Sequence, residues 1–151
     1  MSGKLWKAVE ERINDHSYMT GISRTIERVK ATGEIFTPGK LVIDILRNTP
    51  LAMFEPGKLV LDPACGDGQF LVGAKWVKVI FHSQTENEAL QDIYGVDIMR
   101  DNVDLCKLRL GGGFIVMGDA LNPSRQLIGQ LDFELNFMMQ HFIGDEEFTL
   151  F

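Results

Sequence analysis

The sequence predicts an α/β fold built on a doubly wound, parallel sheet, and three observations predict it. Short apolar runs alternate with helix-length amphipathic segments, the pattern of strands joined by helical crossovers. The first run, residues 58–62, passes through a glycine turn straight into a helix, which is the first half of a βαβ unit. A chain of 151 residues, 45% hydrophobic and 24% charged, is the size and composition of one ordinary globular core.

In chain order, residues 4–32 carry Leu5, Val9 and Ile13 at helical spacing. Ile22, Ile26 and Val29 follow on a second stripe, with Asp15 and Ser17 placed as caps between them. This makes 1–32 an N-terminal helical arm. Thr37-Pro38 opens another helix with Leu41, Val42, Ile45 and Leu46 on one face, and Asn48-Thr49-Pro50 stops it. Pro56-Gly57 turns the chain into strand 58–62, apolar enough to be buried on both faces. Helix 69–81 then presents Phe70, Leu71, Ala74 and Val77, and polar residues 82–91 read as a surface connection. Strand 93–97, helix 99–110 ending at Gly111-Gly112-Gly113, and strand 114–117 complete a second unit. Residues 131–137 alternate apolar and polar, which predicts a fourth strand, half exposed or at an edge. The expected division is therefore an arm (1–32), a ligand-binding α/β domain (33–136) and an acidic C-terminal tail (137–151).

The net charge of −6 argues against a chain whose main task is to wrap a polyphosphate. Its distribution is uneven: residues 1–40 sum to +2 and the remainder to −8, so any nucleic-acid contact is expected at the N-terminal end. There Lys4, Lys7, Arg12, Arg24, Arg28 and Lys30 are interrupted by acids, as on a solvated helix face. Cys65 and Cys106 are too few for a disulfide framework, and His16, His82 and His141 lack the spacing of a metal site. No metal is expected, and Cys65 reads as a packing residue. With no bilayer-length apolar run and no signal-peptide pattern, the expected location is the cytoplasm. Trp6 and Trp76 read as core or interface residues.

Chemistry concentrates in Asp62-Pro63-Ala64-Cys65-Gly66-Asp67-Gly68-Gln69-Phe70. Glycines at the carboxyl end of a strand let backbone approach a ligand, and the following helix offers free N–H groups. Leu71 occupies the third glycine position of a dinucleotide fingerprint, and no Gly-Lys-Ser/Thr follows, so neither a pyrophosphate nor a triphosphate site is indicated. Asp97 ends the second strand, where a carboxylate can accept from a ribose diol or cap the next helix. Asp119 follows the third strand.

These residues resemble a known family. Asp-Pro-Ala-Cys-Gly-x-Gly-x-Phe is similar to motif I of S-adenosylmethionine-dependent DNA methyltransferases of the adenine-N6 group, which includes the modification subunits of type I restriction systems. Gly33-Glu34-Ile35-Phe36-Thr37-Pro38 resembles that group's motif X, Asp97 the acid of motif II and Asp119 that of motif III; the likeness covers about residues 30–122. It implies a Rossmann-like methyltransferase sheet that binds S-adenosylmethionine. Phe36, Thr37 and Pro38 would line the methionine moiety, with Asp62, Ala64, Gly66 and Gly68 around methionine and ribose. Asp97 would hold the ribose hydroxyls, Ile98 the adenine face and Asp119 the adenine amine.

The sequence also departs from the family. Adenine-N6 enzymes carry Asn/Asp-Pro-Pro-Tyr/Phe after the fourth strand to hold the amine of a flipped base. Here Asn122-Pro123 precedes that position, and Asn136-Phe137 occupies it without the prolines, leaving Asn136 as the candidate acceptor-holding residue. The family's sheet continues beyond a fourth strand, whereas about 15 residues remain after 136, so the sheet is expected to be incomplete. Five of the ten Phe residues fall between 133 and 151, which suggests a second copy, a partner subunit or the tail itself over the open edge. The expected function is that of an S-adenosylmethionine-binding, methyltransferase-like protein resembling the cofactor-binding half of DNA adenine-N6 methyltransferases, with DNA as a candidate partner. The alternatives are a non-catalytic S-adenosylmethionine-binding module or subunit, and an enzyme that degrades S-adenosylmethionine itself.

Overall fold

The computed structural model describes residues 2–19, 37–130, 138 and 148–150. A helix α1 (Ser2–Ile13) and a 3-10 turn (Ser17–Met19) precede α2 (Gly39–Arg47) and a second 3-10 turn (Leu51–Phe54). Then come β1 (Leu59–Asp62), α3 (Gln69–His82), α4 (Glu86–Leu90), β2 (Ile93–Asp97), α5 (Arg100–Leu110), β3 (Phe114–Met117) and β4 (Phe148–Leu150). All pairings are parallel, in the order β3-β2-β1-β4. The chain therefore winds outward from β1 to β3 and returns to the other side of β1. That reversal makes the carboxyl ends of β1 and β4 a topological switch point, where open α/β sheets leave a crevice.

The three predicted strands 58–62, 93–97 and 114–117 form within a residue of their expected limits, as do the helices after β1 and β2. Two segments differ. Residues 82–91 include α4, started by a reciprocal capping box between Thr85 and Glu88 and anchored by buried Ala89 and Leu90. The strand beside β1 comes from the segment expected to be a tail, with Leu59, Val60 and Leu61 facing Phe148, Thr149 and Leu150. The expected strand 131–137, Asn136 with it, lies outside the described residues, as do the second N-terminal stripe and Phe36.

One face of the sheet carries the main core. Val60, Ile93, Ile115 and Met117 pack with Leu71, Ala74 and Val77 of α3, Val103, Cys106 and Leu110 of α5, and Trp6, Val9 and Ile13 of α1. On α1 the buried stripe holds Trp6 where Leu5 was expected; Trp6 lies 4.7 Å from the Phe81 ring. On α2 it is Val42, Ile43 and Leu46, while Leu41 and Ile45 are exposed. The rotation follows from packing, because Gly73 on α3 leaves room for Leu46, Val42 and Ile13, and a Cβ there would lie 2.4 Å from Leu46 Cδ1. On the opposite face Leu59, Tyr94 and Val96 pack with Met138, and Tyr94 stacks on Phe114 at 5.0 Å.

At the amino end of the sheet, Lys78 of α3 is fully buried. Its Nζ donates to the Glu55 and Lys58 carbonyls at 3.1 and 2.8 Å and meets Asp92 Oδ2 at 3.0 Å. Burial lowers the Lys78 pKa, against the opposing pull of Asp92.

Candidate functional site

At the carboxyl end, the first residues of interest are the last residues of two adjacent strands. Asp62 closes β1 and Asp97 closes β2, each with a side chain almost withdrawn from solvent. Asp62 Oδ1 accepts from Ala64 N at 3.1 Å. Burial, and secondarily the neighbouring Asp97 charge, push the Asp62 pKa up to about 6 against the Ala64 hydrogen bond. Among the described residues, ion pairs reach Asp67, Asp92 and Asp119 but neither Asp62 nor Asp97. Among the described residues, these two neighbouring buried carboxylates are therefore without a cation.

The glycine turn between β1 and α3 is fastened to β2 on its inner side. Cys65 N donates to Val96 O at 2.9 Å and Gly66 N to Asp97 Oδ2 at 3.0 Å. Gly66 and Gly68 have φ of +56° and +97°, conformations that side chains resist. They serve different purposes. Gly66 is half-buried and its N–H is tied to Asp97, whereas Gly68 is buried where a Cβ would come within 2.8 Å of Cys106 Sγ. Gly68 therefore permits close packing of α5 as well as the turn itself. Cys65 is a buried packing thiol, as expected; the adjacent Cys106 and burial raise its pKa well above the ordinary range.

Of the two readings open to Asp97 in the sequence, the contacts show the helix-organising one. Oδ1 accepts from Met99 N at 2.8 Å and from buried Asn102 Nδ2 at 3.1 Å, organising the entry to α5. Oδ2 accepts from Gly66 N at 3.0 Å, so among these contacts it keeps capacity for a further donor. Ile98 next to it is 46% exposed, an apolar surface on a cleft of about 770 Å³ also walled by Met117 and Leu127. Asp119 sits at the rim. Its Oδ1 accepts from Leu121 N and Asn122 N, and its Oδ2 pairs with Arg125 at 3.3 Å.

Gln69 Nε2 donates to Thr37 O at 2.9 Å, which ties Thr37 to the first turn of α3. Sequence reasoning missed Gln69 and Asn102, although each sits in the first turn of a helix that starts at a strand end, where side chains can turn back to a loop. Buried Gln69 Oε1 and Asn102 Oδ1 find no hydrogen-bond partner among the described residues. No group of His, Cys, Asp and Glu that could hold a metal ion occurs among the described residues, and no described helix is long and apolar enough to cross a membrane.

A glycine turn between a strand and a helix of a parallel sheet, with carboxylates at the ends of the two central strands, defines a Rossmann-like α/β class of protein. The family model described as N-6 DNA methylase matches residues 20–111, and the chain belongs to that family. It is a methyltransferase-like protein. Among solved structures, it is similar to a modification subunit of a candidate type I restriction enzyme from Vibrio vulnificus YJ016, at 25% identity and a TM-score of 0.44. That match covers 62% of this chain and 20% of the other, so this chain spans about a fifth of that subunit's length.

Proposed function

We propose that the chain binds S-adenosylmethionine at the carboxyl ends of β1 and β2 and serves as the cofactor-binding part of a DNA adenine-N6 methyltransferase. The observation that carries this reading is the pair of buried carboxylates, Asp62 and Asp97, without a cation among the described residues and on either side of the Gly66 turn. The residues present fit the group. S-adenosylmethionine brings an α-ammonium and a sulfonium, which suit Asp62, and ribose hydroxyls, one of which suits the open lone pair of Asp97 Oδ2. A second hydroxyl bond to Asp97 requires Gly66 N or Met99 N to give way. The apolar surface of Ile98 in its cleft suits an adenine face, with Asp119 near the exocyclic amine after release from its turn.

When bound, the cofactor supplies a methyl carbon activated by the sulfonium. This chain's part is to hold that carbon in line with an acceptor, since positioning supplies much of the rate of such a transfer. Phe36, Thr37 and Pro38 would close the methionine side. Family membership supports DNA as acceptor, and Asn136 is the candidate that would hold the target amine. We further propose a cytoplasmic location and a second copy or partner subunit against the sheet edge.

Calorimetric titration with S-adenosylmethionine and S-adenosylhomocysteine tests the reading. Asp97→Ala is expected to weaken binding tenfold or more, about 1.4 kcal/mol. Absence of binding by the unaltered protein would overturn it. Methyl transfer to adenine-containing DNA that survives Asn136→Ala would remove Asn136 from the site.

A further inference from the structure

The residue between the two loop glycines is held from the side away from Asp97. Asp67 is buried, and Tyr18 Oη donates to its Oδ2. Arg109 Nη1 lies 3.6 Å from Asp67 Oδ1, while Arg109 Nη2 donates to the carbonyl of Ile13, the last residue of α1, at 2.6 Å. The same guanidinium stands over the Tyr18 ring, 4.8 Å from its centroid. One carboxylate therefore joins the end of α1, the 3-10 turn after it, the glycine turn and the last turn of α5. Two positions further on, Gln69 holds Thr37.

The glycine turn is thus set by opposing attachments. Gly66 N is drawn to Asp97, and Asp67 is drawn to Tyr18 and Arg109. The second attachment has slack. Arg109 is 3% exposed at its side chain, yet its Nε and Nη1, and Asp67 Oδ1, have no hydrogen-bond partner among the described residues. A shift of the turn by less than about 1 Å would bring guanidinium and carboxylate to hydrogen-bond length.

We propose that Tyr18, Asp67 and Arg109 form a positioning unit through which the docked N-terminal segment sets the shape of the glycine turn, and with it the affinity for the cofactor. None of the three has to touch the ligand, because each acts through the backbone of Gly66 and Gly68. The proposal rests on the S-adenosylmethionine reading above.

The test is calorimetric titration of the full chain with S-adenosylhomocysteine, using Tyr18→Phe, Asp67→Asn and the double variant, each also unfolded in urea. Tyr18→Phe keeps the ring under Arg109 and the Asp67–Arg109 pair, so it should stay folded, its urea midpoint lowered by no more than the loss of one hydrogen bond to a charged group. Its Kd should rise on the order of tenfold, because the released Asp67 lets the glycine turn relax away from the shape that receives the ligand. The double variant should bind about as well as Asp67→Asn alone, because both changes break the same contact. If Asp67→Asn fails to fold, Arg109→Lys takes its place in the cycle. Unchanged affinity in Tyr18→Phe, or additive losses in the double variant, would overturn the unit while leaving the cofactor reading intact. Failure of the unaltered protein to bind overturns both.

Discussion

Asp92 and Asp97 flank the same strand five residues apart, and the two ends of β2 treat a buried carboxylate in opposite ways. At the amino end, Asp92 meets the buried Lys78 ammonium, whose remaining donors are taken by backbone carbonyls of the chain entering β1. That charge is matched and its surroundings are closed. At the carboxyl end, Asp97 and Asp62 share a crevice with backbone donors and no cation among the described residues. Burying unmatched charge costs several kcal/mol, and a fold retains it where a ligand supplies the match. The amino end is therefore electrostatically closed, and the carboxyl end is left unmatched among the described residues, which is the contrast the proposed cofactor site rests on.

The largest effect that could break this contrast is at Lys78. Lys78→Met should cost about 3–5 kcal/mol in urea unfolding, because it strands Asp92 and the carbonyls it served. A loss below about 1 kcal/mol would mean that the amino end is not the closed electrostatic knot described. At the other end the sign reverses. Asp62 has a folded pKa of about 6 against an ordinary 3.8, so its protonated form favours folding and its contribution is lost as pH rises through 6. Asp62→Asn should therefore gain stability relative to the unaltered protein between pH 4 and pH 7, by about 3 kcal/mol at most. The same variant should bind S-adenosylmethionine more weakly at pH 7.5. The unaltered protein should lose affinity as pH falls below about 6, since the carboxylate that meets the cation is then neutral. A variant that is no more stable at pH 7, measured by urea midpoint across that range, would contradict the contrast. The smallest effect sharpens it. Thr85→Ala removes half of the capping box of α4 and should cost about 1 kcal/mol without altering cofactor affinity, because α4 belongs to the amino-end structure.

Much of this was legible in the chain because it depends on neighbours in sequence. The apolar runs of β1, β2 and β3 and the glycine breaks between them need only local pattern to be recognised. The Thr85-x-x-Glu88 signature of α4 was also present, but its polar surroundings outweighed it. Lys78 could not be read as buried, since a lysine on an apolar helix is inside only if carbonyls and a carboxylate from other segments converge on it. The link from Tyr18 to Asp67 joins residues 49 positions apart, and no periodicity encodes such a pairing.

The strand next to β1 shows the same boundary. Residues 148–150 have little to mark them as a strand in isolation, yet β1 presents a parallel edge that pairs with them. By itself, the sequence determined the α/β class, the three strands that open the sheet, the glycine turn and the identity of the carboxylates at its rim. Those properties follow from hydrophobic periodicity and from backbone conformations that glycine alone adopts freely. Only the tertiary structure decided which buried charges meet a cation among the described residues, which glycine packs against α5, and where the N-terminal segment grips the turn. Each of these depends on the distance between groups far apart in the chain, which is set when the helices pack on the sheet.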